Sequence, residues 1–314
     1  MKVGGLFAGI GGIELGFKKA GFEIAWANEI DSRACSTYRA NHSHTLIHKD
    51  LKDFEPTEVE KIDILTGGFP CQAFSVAGHR KGFKDERGNV FFEILKFIDA
   101  MNPKVVFLEN VKNLASHDEG KTFERIKKEL QDRHYHIKYQ ILNSAEFGNI
   151  PQNRERIYIV AFSDKGSADK FVFPKSIKRT KRIQDIIDPI ADEIFYYHKS
   201  KLYPTLKEHI TSRETVYQWR RKYVRENKSK LCPTLTANMG TGGHNVPLIL
   251  DSKDIRKLTP RECARLQGYD DCFVLPNSLP NSALYKQIGN SVSIPVVEAI
   301  AKEIKKAIWS ECVR

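Results

Sequence analysis

"KIDILTGGFPCQAFSVAG", residues 61–78, is the stretch on which the fold turns. Its first six residues alternate like a buried strand, and Gly67, Gly68 and Pro70 then make the chain turn before Cys71. A thiol that only filled a core would sit inside the strand. Cys71 stands past its end, where polar and reactive groups serve ligands. Outward from this stretch, residues 1 to about 163 alternate short apolar runs with longer amphipathic ones. "KVGGLFAG", "FEIAWAN", "HTLIHKD", "KIDILTGG" and "PKVVFLEN" predict strands, and "GGIELGFKKAG", "DSRACSTYRANH", "VFFEILKFIDAM" and "GKTFERIKKELQD" predict the helices between them. Such alternation predicts an α/β fold, a parallel sheet covered on both faces. Ligands of these sheets bind outside the carboxyl ends of the strands, and Cys71 falls at one of them.

Four other strand ends carry comparable groups. Phe7-x-Gly9-x-Gly11-Gly12 follows the first strand, Asn28-Glu29 the second, Asp50 the third and Glu109-Asn110 the fifth. A dinucleotide fingerprint would require a third glycine at position 14, where Glu14 stands, and an acidic side chain makes a helix N-terminus a poor seat for pyrophosphate. Glu29, about 20 residues beyond the glycines, is placed to accept hydrogen bonds from ribose hydroxyls, and Asp50 from an adenine amine. A nucleoside without phosphates fits these features, with S-adenosylmethionine the foremost candidate. A purely structural glycine turn is the plain alternative.

The 314 residues suffice for one large domain or two, and 41% hydrophobic with 28% charged residues describes an ordinary globular chain. The net charge of +11 suits an anionic partner such as nucleic acid, or simply a basic surface. Residues 165–230 hold 17 Lys and Arg against 8 Asp and Glu, whereas residues 231–250 hold no charged side chain of these types. This shift predicts a second, smaller unit with a basic face, a long solvated insertion being the alternative. Six cysteines without paired C-x-x-C spacing signal neither a zinc site nor a disulfide framework, so no metal is expected and the thiols are expected reduced. The glycine-broken N-terminus lacks a signal-peptide core, and no apolar run approaches the roughly 20 residues of a membrane span. A cytoplasmic location follows as the expectation.

The chain resembles the C5-cytosine methyltransferases of bacterial DNA modification. "LFAGIGG", "ANEID", "GGFPCQAFSVAG", "RGNVFFEIL", "FLENV", "IPQNRERIYIV", "RKLTPRECARLQGY" and "QIGNSVSIPVV" carry the resemblance, in the family's order and over nearly the whole length. It implies a Rossmann-like S-adenosylmethionine-dependent methyltransferase sheet with a smaller, irregular target-recognition domain. The implied boundaries are 1–182, completed by 277–314, for catalysis and cofactor binding, and 183–276 for recognition. Methyl transfer to cytosine C5 explains why a thiol is needed. C5 is a poor nucleophile until a thiolate adds to C6 and turns C5 into an enamine carbon. The resemblance assigns that thiolate to Cys71, and to Glu109 the group that meets N3, for which burial would keep a proton near neutrality. Arg154 and Arg156 are assigned to the cytosine pocket. Lying two apart where "IYIVAF" begins, they are expected on one face of a strand. Read by themselves, Glu109 also suits a capping or salt-bridged carboxylate and the arginines suit surface charge.

The implied cofactor contacts are Phe7, Ile10, Gly12, Glu29, Ile30, Asp50, Leu51, Pro70, Val90, Asn290 and Val292, with S-adenosylhomocysteine as product. Several relatives place a tryptophan after the ribose-binding glutamate, whereas Ile30 offers only an aliphatic contact. Residues 75–88, with glycines at 78, 82 and 88, suit a mobile lid over a base rotated out of the duplex, an ordinary surface loop being the alternative. Ser75, Arg220, Arg221, Arg225, Thr234, Leu235, Gly242 and Gly243 are the implied DNA contacts, the arginines for phosphate or groove and the small residues for close backbone approach. "IPVVEAIAKEIKKAI" is apolar near every 3.6 residues and is expected to return the chain to the first domain. The expected partners are double-stranded DNA and a cognate restriction endonuclease, the expected state a monomer, and the expected place the bacterial cytoplasm at the nucleoid. Three rivals are a C5-cytosine methyltransferase acting on tRNA, a non-catalytic DNA-binding protein on this scaffold, and a nicotinamide oxidoreductase. Intact Cys71, Glu109, Arg154 and Arg156 argue against the second, Glu14 and the missing glycine against the third.

Overall fold

The computed structural model describes residues 1–69, 89–241 and 246–309. Pro70, Cys71, Ser75, the expected lid and Gly242–Gly243 lie outside the described residues. The chain forms two compact units. The first comprises Met1–Leu142, Glu155–Lys175 and the chain from Val296 onward; the second comprises Asn143–Arg154 and Ser176–Pro295. Against the division expected from sequence, residues 143–154, 176–182 and 277–295 group with the second unit. Gln152 shows why: its side chain bonds the backbone of Leu235 and Leu266, which ties the segment before Glu155 to the later chain.

The first unit is built on a seven-stranded sheet. Its strands are β1 (Lys2–Leu6), β2 (Glu23–Glu29), β3 (Thr45–His48), β4 (Ile64–Gly68), β5 (Val105–Val111), β6 (His136–Asn143) and β7 (Glu155–Phe162). Their order is β3-β2-β1-β4-β5-β7-β6, so the direction of winding reverses between β1 and β4. Pairs among β1 to β5 are parallel, whereas β7 runs antiparallel to β5. The wholly parallel sheet expected from alternation therefore holds only for the first five strands. β7 has no long crossover helix immediately before it, the element a parallel return needs. The α/β class itself stands.

Helices α1 (Gly12–Lys19), α2 (Ser32–Arg39), α3 (Asn89–Met101) and α4 (Lys121–Gln131) connect the strands. α2 starts where the Asp31 carboxylate accepts from the Arg33 and Ala34 amides at 3.0 and 3.3 Å. One sheet face buries Leu6, Leu65, Val106 and Leu108 with Phe91, Ile94 and Ile98 of α3. On the opposite face Phe17 of α1 meets Phe107 edge-on at 5.2 Å. The helix Ile294–Trp309 closes this layer as the sequence predicts. Gly16 of α1 lets it approach, since a Cβ there would fall 2.6 Å from Val297 Cγ1.

The second unit is irregular. Four three-residue strands, β8 (Tyr217–Trp219), β9 (Val224–Glu226), β10 (Leu248–Leu250) and β11 (Ile255–Lys257), form a sheet in the order β9-β8-β10-β11 over a small core of Leu206, Ile210, Tyr217, Leu248 and Ile255. Fully buried Arg256 fastens it, with Nε 2.5 Å from Asp251 and the guanidinium nitrogens 2.7 and 2.8 Å from the two Glu262 oxygens. No helix among the described residues is long and apolar enough to cross a membrane.

Candidate active site

The carboxyl edge of the first sheet collects the polar groups named from sequence. After β1 the chain makes a tight turn in which Phe7, Gly9 and Gly11 all take left-handed angles, φ 56°, 58° and 87°. Glu29, the last residue of β2, locks this turn. Its Oε2 accepts from the Gly9 amide at 2.7 Å, and Oε1 accepts from the Ile30 and Asp31 amides at 2.9 and 2.7 Å. Three backbone donors fix the carboxylate before any ligand arrives. A Cβ on Gly9 would meet nothing within 4 Å among the described residues, which leave that side of the turn open. Ile30, 57% exposed, stands beside it as an aliphatic face. Asp50 is exposed after β3, its carboxylate accepting from the Lys52 amide at 3.0 Å. Phe7, Ile10, Gly12, Glu29, Ile30 and Asp50 thus lie on the neighbouring ends of β1, β2 and β3. Leu51 is buried in the main core and Val90 packs against it. Asn290 ends a helix of the second unit, exposed, and Val292 is buried just beyond it.

A second group of side chains sits at the ends of β4, β5 and β7. Glu109, buried on β5, has Oε1 3.2 Å from Nε of Arg156 on β7. The ladder pairs Glu109 with Gly68 on one side and Val111 with Arg156 on the other, which puts carboxyl and guanidinium on one face. Glycine at 68 keeps that face clear: a Cβ there would stand 3.7 Å from Glu109 Oε2 and 3.6 Å from Ile13. Asn110 does something the sequence did not disclose. Its Nδ2 donates to the Phe69 carbonyl at 3.0 Å, and its Oδ1 accepts from the Val111 amide at 2.8 Å. The bond falls on the last described residue before Pro70-Cys71. Only its place beside Glu109 at a strand end hinted at a role.

Arg154 departs from expectation. It precedes β7 rather than sharing a strand face with Arg156, because the chain bends between Gln152 and Arg154, whose amide bonds the Gln152 carbonyl at 3.1 Å. Buried in the second unit, Arg154 donates to the Leu235 carbonyl at 2.8 Å and to the Ser291 carbonyl. Glu14 also differs. It does not present charge at the helix start; it is buried, and burial pushes its carboxyl up to about 8, with nearby Glu29 adding to the rise. A side chain on Gly5 would collide with it. The argument against pyrophosphate therefore rests on the missing glycine alone.

Within the second unit, Thr234 donates to the Asn153 carbonyl at 2.7 Å and buried Leu235 is held by Gln152 and Arg154. Arg220, Arg221 and Arg225 are exposed on the β8–β9 hairpin, whose turn is closed by the Arg220 amide on the Tyr223 carbonyl at 2.9 Å. No group of three or more His, Cys, Asp or Glu able to hold a metal occurs among the described residues.

A doubly wound sheet with a pinned acidic residue beside an open glycine turn, and a carboxyl–guanidinium pair one switch point away, defines a class: enzymes acting on a ligand at the nucleotide-binding edge of an α/β sheet. Residues 1–306 match the C-5 cytosine-specific DNA methylase family, and the chain belongs to that family. It is a DNA (cytosine-5-)-methyltransferase. Among its relatives, the Type II methyltransferase M.Bsp6I of Bacillus sp. (strain RFL6) is 54% identical, covering 98% of this chain and 99% of its own. M.HhaI of Haemophilus parahaemolyticus is 37% identical over 96% and 94% of the two chains. The crystal structure of the S. pombe Dnmt2 methyltransferase superposes with a TM-score of 0.78 at 22% identity, covering 98% of this chain and 99% of that one. That likeness concerns the fold; the family match names DNA, so the tRNA rival is not favoured.

Proposed function

We propose that the enzyme methylates C5 of one cytosine turned out of a short site in double-stranded DNA, with S-adenosylmethionine as donor and Cys71 adding to C6. The observation that carries this reading is the Glu109–Arg156 pair, held at the end of the strand beside the one that leads into Pro70-Cys71. The open turn fits the donor's nucleoside: Glu29 is fixed to receive ribose hydroxyls, Ile30 offers an apolar face and Asp50 an exposed carboxylate. Phe7, Ile10, Gly12, Leu51, Pro70, Val90, Asn290 and Val292 complete the assigned cofactor contacts. When bound, this cofactor supplies a methyl group on a cationic sulfur.

The rest is the work of the chain. Cys71 as thiolate forms a bond to C6, the ring's electrons shift toward C5 and N3, and Glu109 holds N3 and shares a proton there. Arg156 keeps the Glu109 carboxyl in place, and Arg154 shapes the backbone at Leu235 and Ser291. After transfer a water molecule acting as base takes the C5 proton. The C5–H electron pair forms the C5–C6 double bond as the C6–sulfur bond breaks to the Cys71 thiolate, and N3 gives its proton back to Glu109. Residues 1–182, completed by 277–314, are assigned to catalysis and cofactor binding, and residues 183–276 to target recognition. Ser75, Arg220, Arg221, Arg225, Thr234, Leu235, Gly242 and Gly243 are the assigned DNA contacts, with buried Leu235 acting through its backbone. The Type II names of the relatives support a restriction-modification role with a cognate endonuclease; a monomeric enzyme acting at the nucleoid in the cytoplasm completes the reading.

The test is tritiated S-adenosylmethionine with mixed-sequence duplex DNA and, in parallel, total tRNA, comparing the native chain with Cys71→Ser. Label at cytosine C5 of DNA, lost in the variant, is the expected result. Label in tRNA, or transfer by the variant at the native rate, overturns it.

A further inference from the structure

We propose that His42 is a positioning residue of the cofactor turn, holding the Ile10 carbonyl so that the backbone of residues 7–12 keeps the shape that receives the donor. The inference rests on the reading of that turn as the cofactor site. Phe7 pays for its left-handed angle, φ 56°, whereas Gly9 and Gly11 take theirs freely but would be equally free to leave them, so the turn keeps its shape only if its surroundings hold it. One side of the hold is the Glu29 carboxylate on the Gly9 amide. The other comes from the far end of the same β2–α2 segment. There the amides of Asn41 and His42 both bond the Tyr38 carbonyl at 3.0 Å, ending the helix and turning His42 back toward the turn.

Its Nε2 lies 3.3 Å from the Ile10 carbonyl, and its ring occupies the space a side chain on Gly11 would need. Beneath it Tyr38 stacks at 4.2 Å between ring centroids and 31° between planes. Tyr38 is fully buried against Ala8 of the turn and Ala27 of β2, and its hydroxyl is fixed by His44 Nε2 at 2.5 Å. An aromatic platform thus supports the turn from below while the His42 N–H holds its carbonyl. Burial, aided by nearby His44 and Lys18, lowers the His42 imidazole to about 4, so near neutrality the ring is uncharged and the single N–H must sit on Nε2 to make this bond.

Two variants separate positioning from mere packing. His42→Phe keeps a stacked ring without a donor; His42→Gln gives up the ring and restores an N–H donor. Equilibrium binding of S-adenosylhomocysteine, the KM for S-adenosylmethionine, kcat at saturating donor and the melting temperature are measured for both. His42→Phe is expected to weaken product binding and raise that KM about tenfold, with kcat within about twofold of native. His42→Gln is expected to recover most of the affinity. Native affinity in His42→Phe overturns the inference, as does a loss in both variants that tracks their melting temperatures. Failure of the native protein to bind either nucleoside overturns the cofactor reading and the inference together, a result distinct from both.

Discussion

Glu109 is useful to the proposed chemistry because its surroundings give it one orientation. Gly68 leaves its face clear and Arg156 holds one oxygen at 3.2 Å. Glu109→Gln keeps the shape and removes the acid, so single-turnover methyl transfer is expected to slow by about 10²-fold or more. Product affinity should stay near native, since the carboxyl lies on β5 and not at the glycine turn. Unaltered turnover would deny Glu109 its role at N3. Glu14 allows a test of a different kind. Its carboxyl is raised from 4.5 to about 8 by burial, so the folded protein keeps a proton that the unfolded chain gives up. Such a group contributes stability that is present below about pH 4.5 and is lost as pH rises toward about 8. The melting temperature of the native chain should therefore fall from acid to mildly alkaline pH relative to Glu14→Gln, which has no proton to release. Parallel melting curves across that range would show that the carboxyl is not held protonated.

Asn110 works between elements. The β4–β5 ladder ends at Gly68 opposite Glu109, and the Asn110 amide adds one more cross-strand bond, to Phe69, just where the chain leaves for Pro70-Cys71. Asn110→Leu fills similar volume but leaves the Phe69 carbonyl without that donor. Methyl transfer is expected to drop by about tenfold or more through loosening of the strand exit, since one lost hydrogen bond in a buried site is worth about 1 kcal/mol or more. Pre-steady-state transfer measured against DNA affinity checks this, and equal losses in both would point to general damage instead. Such pairings mark the limit of what sequence makes legible. The first five strands and their helices were readable because apolar runs of period two and 3.6 alternate cleanly from Lys2 to Gln131. β6 was not, since "HIKYQILN" mixes lysine and glutamine into a half-exposed strand. Arg154 was misplaced because spacing alone assumes a continuous strand, and the bend at Gln152 is fixed by partners more than 80 residues away in sequence. The burial of Glu14 had no signal either: an acidic residue in a first helical turn reads as a capping charge, and only the missing side chain of Gly5 gives it room.

For the molecule as a whole the question is how a chain of charge +11 uses its surplus. Most of the excess lies between residues 165 and 230, and within that stretch the β8–β9 hairpin concentrates it. The strands are anchored by Tyr217, 1% exposed, while Arg220, Arg221 and Lys222 form the exposed tip. None of these three forms an ion pair among the described residues, in contrast to Arg256, which is consumed by Asp251 and Glu262. Cations left unneutralised on an anchored turn suit a polyanion better than they suit stability, since self-repulsion there is uncompensated. If each meets one phosphate, replacing all three by alanine removes three counterion-releasing contacts. The dependence of log Kobs on log salt should then become shallower by about 3, at roughly 0.9 per phosphate. The loss of affinity should be similar for cognate and unrelated duplexes, because phosphate contacts carry no sequence information. Duplex binding titrated across salt concentrations measures both quantities. A native slope would remove the hairpin from the DNA backbone, and a loss confined to the cognate duplex would turn these residues from phosphate contacts into readers of bases.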